Sequence, residues 1–349
     1  MRAPGLSPAR TGGSLRSIPS IVRAPGLAPA RTRGPLRATA VIRLEGLRRE
    51  FGDVVAVDQL DLEIAAGEIY GLIGPNGAGK TTTIRLACGL LTPTAGRVLI
   101  EGVDVGREPE RAHQFIGYLS DSFAVYEDLR VWEYLDYFAR AYRLPPAAVP
   151  RRIDEVIALV GLEVKREELT RGLSRGMRQR LGVARAIIHG PRVLWLDEPA
   201  SGLDPKARID LRAVLRGLRD AGTTIVVSSH ILAELDGFCT SIGIMEQGRL
   251  VRSGTVAAMA GRPAHTRAVR LAWADGGEPR ARARLAAHPG VADVAARGSE
   301  AIFRLAGGDA EMAALLADLV TAGVPVVFFG EIRESIEDVY MRISGHRVM

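Results

Sequence analysis

Cysteine is scarce in this sequence. Its 349 residues hold two, Cys88 and Cys239, far apart. That excludes a disulfide framework and a cysteine metal site, and it fits a reducing, cytosolic setting. Long apolar runs are missing as well: no stretch of about 18 apolar residues occurs, so no segment is expected to span a membrane. Acids are absent from the first 40 residues, which carry seven arginines (Arg2, Arg10, Arg16, Arg23, Arg31, Arg33 and Arg37). The formal net charge is +6, so the rest of the chain sits near neutrality at −1. The pI of 9.7 therefore belongs to the N-terminal segment, and a basic nucleic-acid-binding body is not supported. Lysine is nearly absent: Lys80, Lys165 and Lys206 stand against 43 arginines.

Residues 1–40 also hold few large apolar residues that could form a core. They repeat, with RAPGLSPART from Arg2 and RAPGLAPART from Arg23. Proline and glycine interrupt any helix there, including the amphipathic helix of a transit peptide, and no apolar secretory segment is present. Two readings stand: a disordered extension, or a start read too far upstream, and an arm for anionic lipid or nucleic acid. The remainder has ordinary globular composition, 47% hydrophobic and 25% charged, which excludes a mainly disordered chain.

From Val41 the texture changes. VIRLEGL and VDQLDLEI alternate as strands do, and Ile69 to Ile73 is a short apolar run suited to a buried strand. It leads into GPNGAGKTT and the apolar-periodic TTIRLACGL, so the order is strand, glycine loop, helix. Residues 115–142 hold nine of the 18 aromatics, and Val131, Leu135, Phe138 and Tyr142 follow helical spacing. A helical region is predicted to about His189, followed by buried strands at Val193 to Leu196 and Thr224 to Val227. After about Arg262 the pattern reads βαββαβα: Arg267–Trp273, Glu278–Ala287, Val291–Ala295, Ala301–Leu305, Glu311–Val320, Pro325–Phe329 and Ser335–Ile343. No catalytic constellation is evident in that last part.

Gly74-Pro75-Asn76-Gly77-Ala78-Gly79-Lys80-Thr81 matches the G-x-x-x-x-G-K-[ST] phosphate loop. Its glycines let backbone N–H groups converge on phosphate oxygens, and the next helix presents its positive end to the same anion. Lys80 has the reach for the β and γ phosphates, and the Thr81 hydroxyl suits Mg²⁺. Val193-Leu194-Trp195-Leu196-Asp197-Glu198 is an apolar strand ending in two acids, at the edge where α/β sheets bind ligands. Asp197 suits Mg²⁺ through water, and Glu198 suits proton abstraction from an attacking water. Alone, this pair is equally an ordinary acidic turn.

With these residues in view, the sequence resembles the ATP-binding subunit of an ABC transporter over residues 41–262. Leu173-Ser174-Arg175-Gly176-Met177 matches that family's LSGGQ signature at Leu, Ser and the second Gly, departing at Arg175 and Met177. Asp197 and Glu198 match its Walker B pair, Ser201-Gly202-Leu203-Asp204 its D-loop, His230 its switch histidine, and Phe51-Gly52 its aromatic A-loop. Ser335-Ile336-Glu337-Asp338-Val339-Tyr340 is similar to the S-L-E-D-V-F ending of subunits serving ABC-2-type exporters, although a plain amphipathic helix explains it too.

The resemblance implies an α/β fold over 41–262, a P-loop NTPase core of the ABC ATPase type with a helical subdomain at about 119–189, and the βαββαβα pattern adds a small C-terminal α+β domain at 266–349. It implies ATP and Mg²⁺ as cofactors, bound by Phe51, Gly74 to Lys80, Thr81 and Thr82, with Thr81, Asp121 and Asp197 toward the metal. Glu198 and His230 would be catalytic. Ser174 and Gly176 would face the nucleotide of a second copy in a head-to-tail dimer, and a separate transmembrane permease would be the other partner, at the cytoplasmic face of the membrane. Asp121 falls where the family usually has glutamine. Two other functions compete. A soluble ABC ATPase of translation or DNA repair usually carries two modules or a long coiled coil, and this chain has one module and no sustained heptads. A regulatory module without turnover is disfavoured by the presence of Glu198.

Overall fold

The computed structural model describes residues 40–235, 237–259 and 266–332. β1 (Ala40–Phe51) and β2 (Val54–Ala65) form a long hairpin closed by Gly52 and Asp53. Gly52 sits at φ 56°, the left-handed region such tight turns require. Leu60, Leu62 and Ile64 point inward while Asp61 and Glu63 point out, the alternation of a half-covered antiparallel sheet. β3 (Ile69–Ile73) follows, then the glycine loop and α1 (Lys80–Ala87). β4 (Ala95–Ile100) and β5 (Val103–Asp104) return to the hairpin and complete a sheet of order β2-β1-β4-β5.

α2 (Pro109–His113) and β6 (Ile116–Leu119) lead into the helices α3 (Val131–Ala141), α4 (Val149–Leu159) and α5 (Arg175–Ile187). Then come β7 (Val193–Leu196), α6 (Pro205–Asp220), β8 (Thr224–Ser229), α7 (Leu232–Leu235), β9 (Ser241–Glu246), β10 (Arg249–Thr255) and α8 (Val256–Met259). The second sheet has order β10-β9-β3-β8-β7-β6, parallel from β9 to β6 with β10 antiparallel at the edge. Its strands β3 and β7 read as unbroken runs because both faces are covered. Ile69, Ile73, Leu194, Leu196, Ile225 and Val227 join the core shared with α3 to α6. Tyr70, Leu72, Trp195 and Val226 turn the other way, into the core shared with the hairpin and α1.

A third core lies in β11 (Thr266–Trp273), α9 (Glu278–Ala287), β12 (Val291–Arg297), β13 (Glu300–Ala306), α10 (Asp309–Thr321) and β14 (Val326–Glu331). The antiparallel order β12-β13-β11-β14 is that of a split βαβ sheet. α10 begins with the Glu311 carboxylate accepting from the Gly308 N–H at 2.6 Å, which holds that carboxyl below its usual range.

Several elements differ from the expectation. β1 continues through Phe51 and β14 ends at Glu331, because ladder hydrogen bonds extend past the apolar pattern. β4, β9 and β10 carry glycine, arginine or serine, and β5 is only two residues long, so none has a clean alternation to announce it. Of the tail expected at 1–40, Ala40 instead begins β1, while residues 1–39, the boundary near Arg262 and the helix Ser335–Ile343 lie outside the described residues.

Candidate active site

The glycine loop is wedged between two strands. A Cβ on Gly74 would run into the carbonyl oxygen of Met245 on β9, and one on Gly79 into that of Ala56 on β2. Gly77 and Gly79 also hold φ at 82° and 100°, which a larger residue resists. Gly79 precedes α1 with no side chain capping the helix, so the first N–H groups are left facing the loop's interior. Lys80 is 6% exposed. Its Nζ donates to the carbonyls of Gly74 at 2.7 Å and Pro75 at 3.2 Å and lies 3.5 Å from Glu198 Oε1. A buried ammonium curled onto loop carbonyls and one carboxylate is placed to turn its donors toward incoming phosphate oxygens.

The second wall is built at the ends of β7 and β8. Asp197 is 2% exposed, and its Oδ1 accepts from the Ser228 hydroxyl at 2.6 Å. The same hydroxyl oxygen accepts from the Glu198 N–H at 2.9 Å. Glu198 has φ 47°, a conformation costly for any residue with a Cβ and typical of sites where geometry is imposed. The Ser201 N–H donates to the Glu198 carbonyl at 3.1 Å and closes that turn. Glu198 Oε2 accepts from Nδ1 of His230 at 2.8 Å. A carboxylate only accepts, so the proton at this bond belongs to Nδ1. Glu198 is thus held between Lys80 on one oxygen and His230 on the other.

An open cleft of about 430 Å³ runs along these groups. It is lined by Ala56, Asn76, Gly77, Ala78, Gly79, Lys80, Thr81, Thr82, Asp121, Glu198, Ser201 and His230. It opens beyond the carboxyl ends of β3, β7 and β8, where α/β sheets bind ligands. Gly74 and Pro75 act from behind through their carbonyls, and Asp197 lies beneath the cleft rather than in its lining. Phe51 stands outside that lining, 44% exposed, with the Arg49 guanidinium 4.5 Å over its ring. Ser174 and Gly176 are also outside it. Ser174 caps α5, its Oγ accepting from the Met177 N–H at 3.3 Å, and a Cβ on Gly176 would come within 2.7 Å of Ala207 on α6. Asp204 likewise caps α6 through the Ala207 N–H at 2.9 Å.

Sequence reasoning missed Ser228, which ties Asp197 to the Glu198 backbone, and Ala56. A serine two residues before His230 on a buried strand was the signal for the first. A small residue on a hairpin strand gave none for the second. Among the described residues no three His, Cys, Asp or Glu side chains form a ready metal cage. The donors fit a Mg²⁺ that arrives with its nucleotide, since that ion keeps several waters and phosphate ligands. Cys88 is buried behind α1. Burial first, then the Asp197 carboxylate, push its thiol well above the usual range, so it stays neutral.

Comparison with known proteins points to one family. A family profile described as ABC transporter matches residues 57–201. The chain is 38% identical over 216 residues to the Nod factor export ATP-binding protein I of Cupriavidus metallidurans, covering 62% of this chain and 71% of that one. It is 37% identical over 215 residues to the probable multidrug ABC transporter ATP-binding protein YbhF of Escherichia coli. That match covers 62% of this chain, and the chain spans 37% of that relative's length. Among solved structures, an ATP-binding subunit of an ABC transporter superposes with a TM-score of 0.58 at 30% identity, covering 63% of this chain and 92% of that one.

Proposed function

The chain belongs to the ABC transporter ATP-binding family, and from that premise we propose that it binds and hydrolyses ATP to energise a separate transmembrane permease, as part of an exporter. One observation carries the reading: Glu198, at the mouth of a glycine-loop cleft, holds its carboxylate between Lys80 at 3.5 Å and His230 at 2.8 Å. A water lined up on the γ-phosphate lies within reach of that carboxylate, which takes its proton. Lys80 neutralises the β and γ phosphates, and the N–H groups of Gly77 to Lys80 cradle them. His230 holds one oxygen of that carboxylate. Thr81 and Asp197, with Asp121 across the cleft, would hold Mg²⁺, which supplies charge neutralisation on the phosphates when bound. Phe51 offers a ring for the adenine once Arg49 yields.

Ser174 and Gly176 stand outside the cleft of their own chain, and this supports a head-to-tail dimer in which each signature faces the partner's nucleotide. The exporter assignment draws on the relatives named for multidrug transport and Nod factor export. Among the described residues no helix is long and apolar enough to cross a membrane, so attachment comes through the permease, at the cytoplasmic face. The division proposed is 41–262 for the ATP-binding domain and 266–349 for the C-terminal α+β domain.

The test is Mg²⁺-dependent phosphate release by the purified chain, beside Glu198→Gln. The variant keeps the side chain's size and loses the base, so turnover falls by about 10²-fold while ATP binding persists. Hydrolysis by the variant at the wild-type rate would place the base elsewhere.

A further inference from the structure

Arg175 is the departure from the family signature that packing does not explain. Met177, the other departure, packs against the helical core. Arg175 instead is an exposed first residue of α5, and the first turn of that helix carries no acid. A cation at a helix N-terminus opposes the helix dipole. Its Nη2 donates to the carbonyl of Ser201 at 3.0 Å. The guanidinium also fills the space beside Gly202, whose φ is 65°, so a Cβ there would fall inside it. Ser201 lines the cleft, and its N–H closes the turn that starts at Glu198. The contact therefore runs from the signature segment to the loop that aims the carboxylate.

We propose that Arg175 is a positioning residue, a latch that holds the loop 198–204 against the start of α5 and thereby sets the direction of Glu198. The inference rests on the ATPase reading and adds a link between the signature segment and the base within one chain. Two features of the site require such a latch. Glu198 sits in a strained conformation that its surroundings must impose. Gly202 in the left-handed region turns the loop directly against the guanidinium, leaving no room for a Cβ between them. The guanidinium holds the loop at a backbone carbonyl, where its planar fork loses little freedom per bond. The helix pays in dipole energy for a contact that serves the neighbouring loop.

The experiment compares the full chain with Arg175→Ala, Arg175→Lys, Gly202→Ala and the double variant Arg175→Ala/Gly202→Ala. For Arg175→Ala the expected result is a kcat about tenfold lower, with KM for ATP within about twofold, because a misaimed base weakens the chemical step rather than binding. Its melting temperature should be unchanged or higher, since a cation leaves the helix N-terminus. Arg175→Lys should recover most of the loss, having a donor of similar reach. A kcat for Arg175→Ala within about twofold of wild type, a lower melting temperature, or a lysine variant no better than alanine would overturn the latch. Absence of ATPase in the wild-type chain would instead strike the proposed function. The denaturant midpoints of the wild type, Arg175→Ala, Gly202→Ala and the double variant decide the contact even then. The cost of Gly202→Ala should shrink when Arg175 is already alanine, and strictly additive midpoints would refute it.

Discussion

The six-stranded sheet is covered on both faces and its parallel strands read IYGLI and VLWL, whereas the C-terminal sheet is covered on one face and its strands alternate, as in EAIFRLA. The difference sets where chemistry can gather. Parallel neighbours end at one edge, so the loops after β3, β7 and β8 bring Lys80, Glu198 and His230 within a few ångströms. Antiparallel neighbours end at opposite edges, so β11 to β14 have no common rim. Their outer face shows paired charges instead. Arg270 bonds Glu300 at 2.7 Å and lies over Phe328, and Arg304 meets Asp293 at 3.3 Å. Exposed pairs of this kind contribute little to stability. What that face offers is a surface.

Core substitutions should separate the two regions most strongly. Trp195→Ala on β7 removes a fully buried ring two residues before Asp197. A loss of about 3–5 kcal/mol is expected, together with loss of nucleotide binding. Phe303→Ala on β13 should cost a similar amount locally, yet leave ATP hydrolysis by the remaining body near normal. Its neighbour Ile302 points to the open face at 41% exposure, so Ile302→Ala should cost under about 0.5 kcal/mol. Denaturation followed by tryptophan fluorescence, with phosphate release in parallel, reads all three. Hydrolysis lost in Phe303→Ala would break the comparison by making the C-terminal sheet part of the working site.

Acid should also act on one region before the other. His189, after α5, donates Nε2–H to the Ile116 carbonyl at 3.0 Å and stacks on Tyr142 with ring centres 3.9 Å apart. Burial lowers its pKa to about 4 from 6.5. Above pH 6.5 the ring is neutral in both folded and unfolded chains. As pH falls through 6.5 the unfolded chain takes up a proton that the folded chain refuses, and stability drops until about pH 4, where both bind it. The span corresponds to about 3 kcal/mol. His189→Gln keeps a donor for Ile116 and removes the proton site, so its stability should be flatter between pH 6.5 and 4. Equal slopes for the two proteins would mean that the ring is already solvated.

Where sequence and structure could be read together, the reason is spacing. The glycine loop, Asp197-Glu198 and the strands around them are short local patterns, and both covered faces of a parallel strand leave an apolar run that is easy to see. The C-terminal β and α pattern is legible for the complementary reason: one open face forces alternation. What the residues do not announce depends on partners distant in sequence. Glu198 at φ 47° is tied at its backbone N–H to Ser228, thirty residues away, by a hydrogen bond at 2.9 Å. Arg175 meets Ser201 only because α5 ends up beside α6. Ala56 enters the cleft because the hairpin folds over the loop, and Phe51 is left outside it at the hairpin's tip. No periodicity encodes those approaches.

The smallest expected effect concerns Asp121. It lines the cleft from the loop after β6. The start of α3 is served by Glu133, whose carboxylate accepts from the Arg130 N–H at 2.8 Å, so Asp121 does not cap that helix. The local turn is tied by the Ser120 hydroxyl donating to the Ser122 carbonyl at 2.7 Å, again without Asp121. A carboxylate so placed adds negative charge beside an anionic nucleotide and favours a metal between them. Being exposed, it acts through screened solvent, and its influence should be modest. Asp121→Asn should tighten ATP binding in the absence of Mg²⁺ and shrink the ratio of affinities with and without Mg²⁺ by about threefold. Asp121→Gln should behave the same way for charge while restoring reach, so any difference between the two isolates side-chain length. Arg270→Ala on the open C-terminal face provides the contrast, since a charge removed there should leave the ratio untouched. Nucleotide titrations of the four proteins with and without Mg²⁺ decide it. An unchanged ratio in Asp121→Asn would show that the carboxylate faces water rather than the bound phosphates.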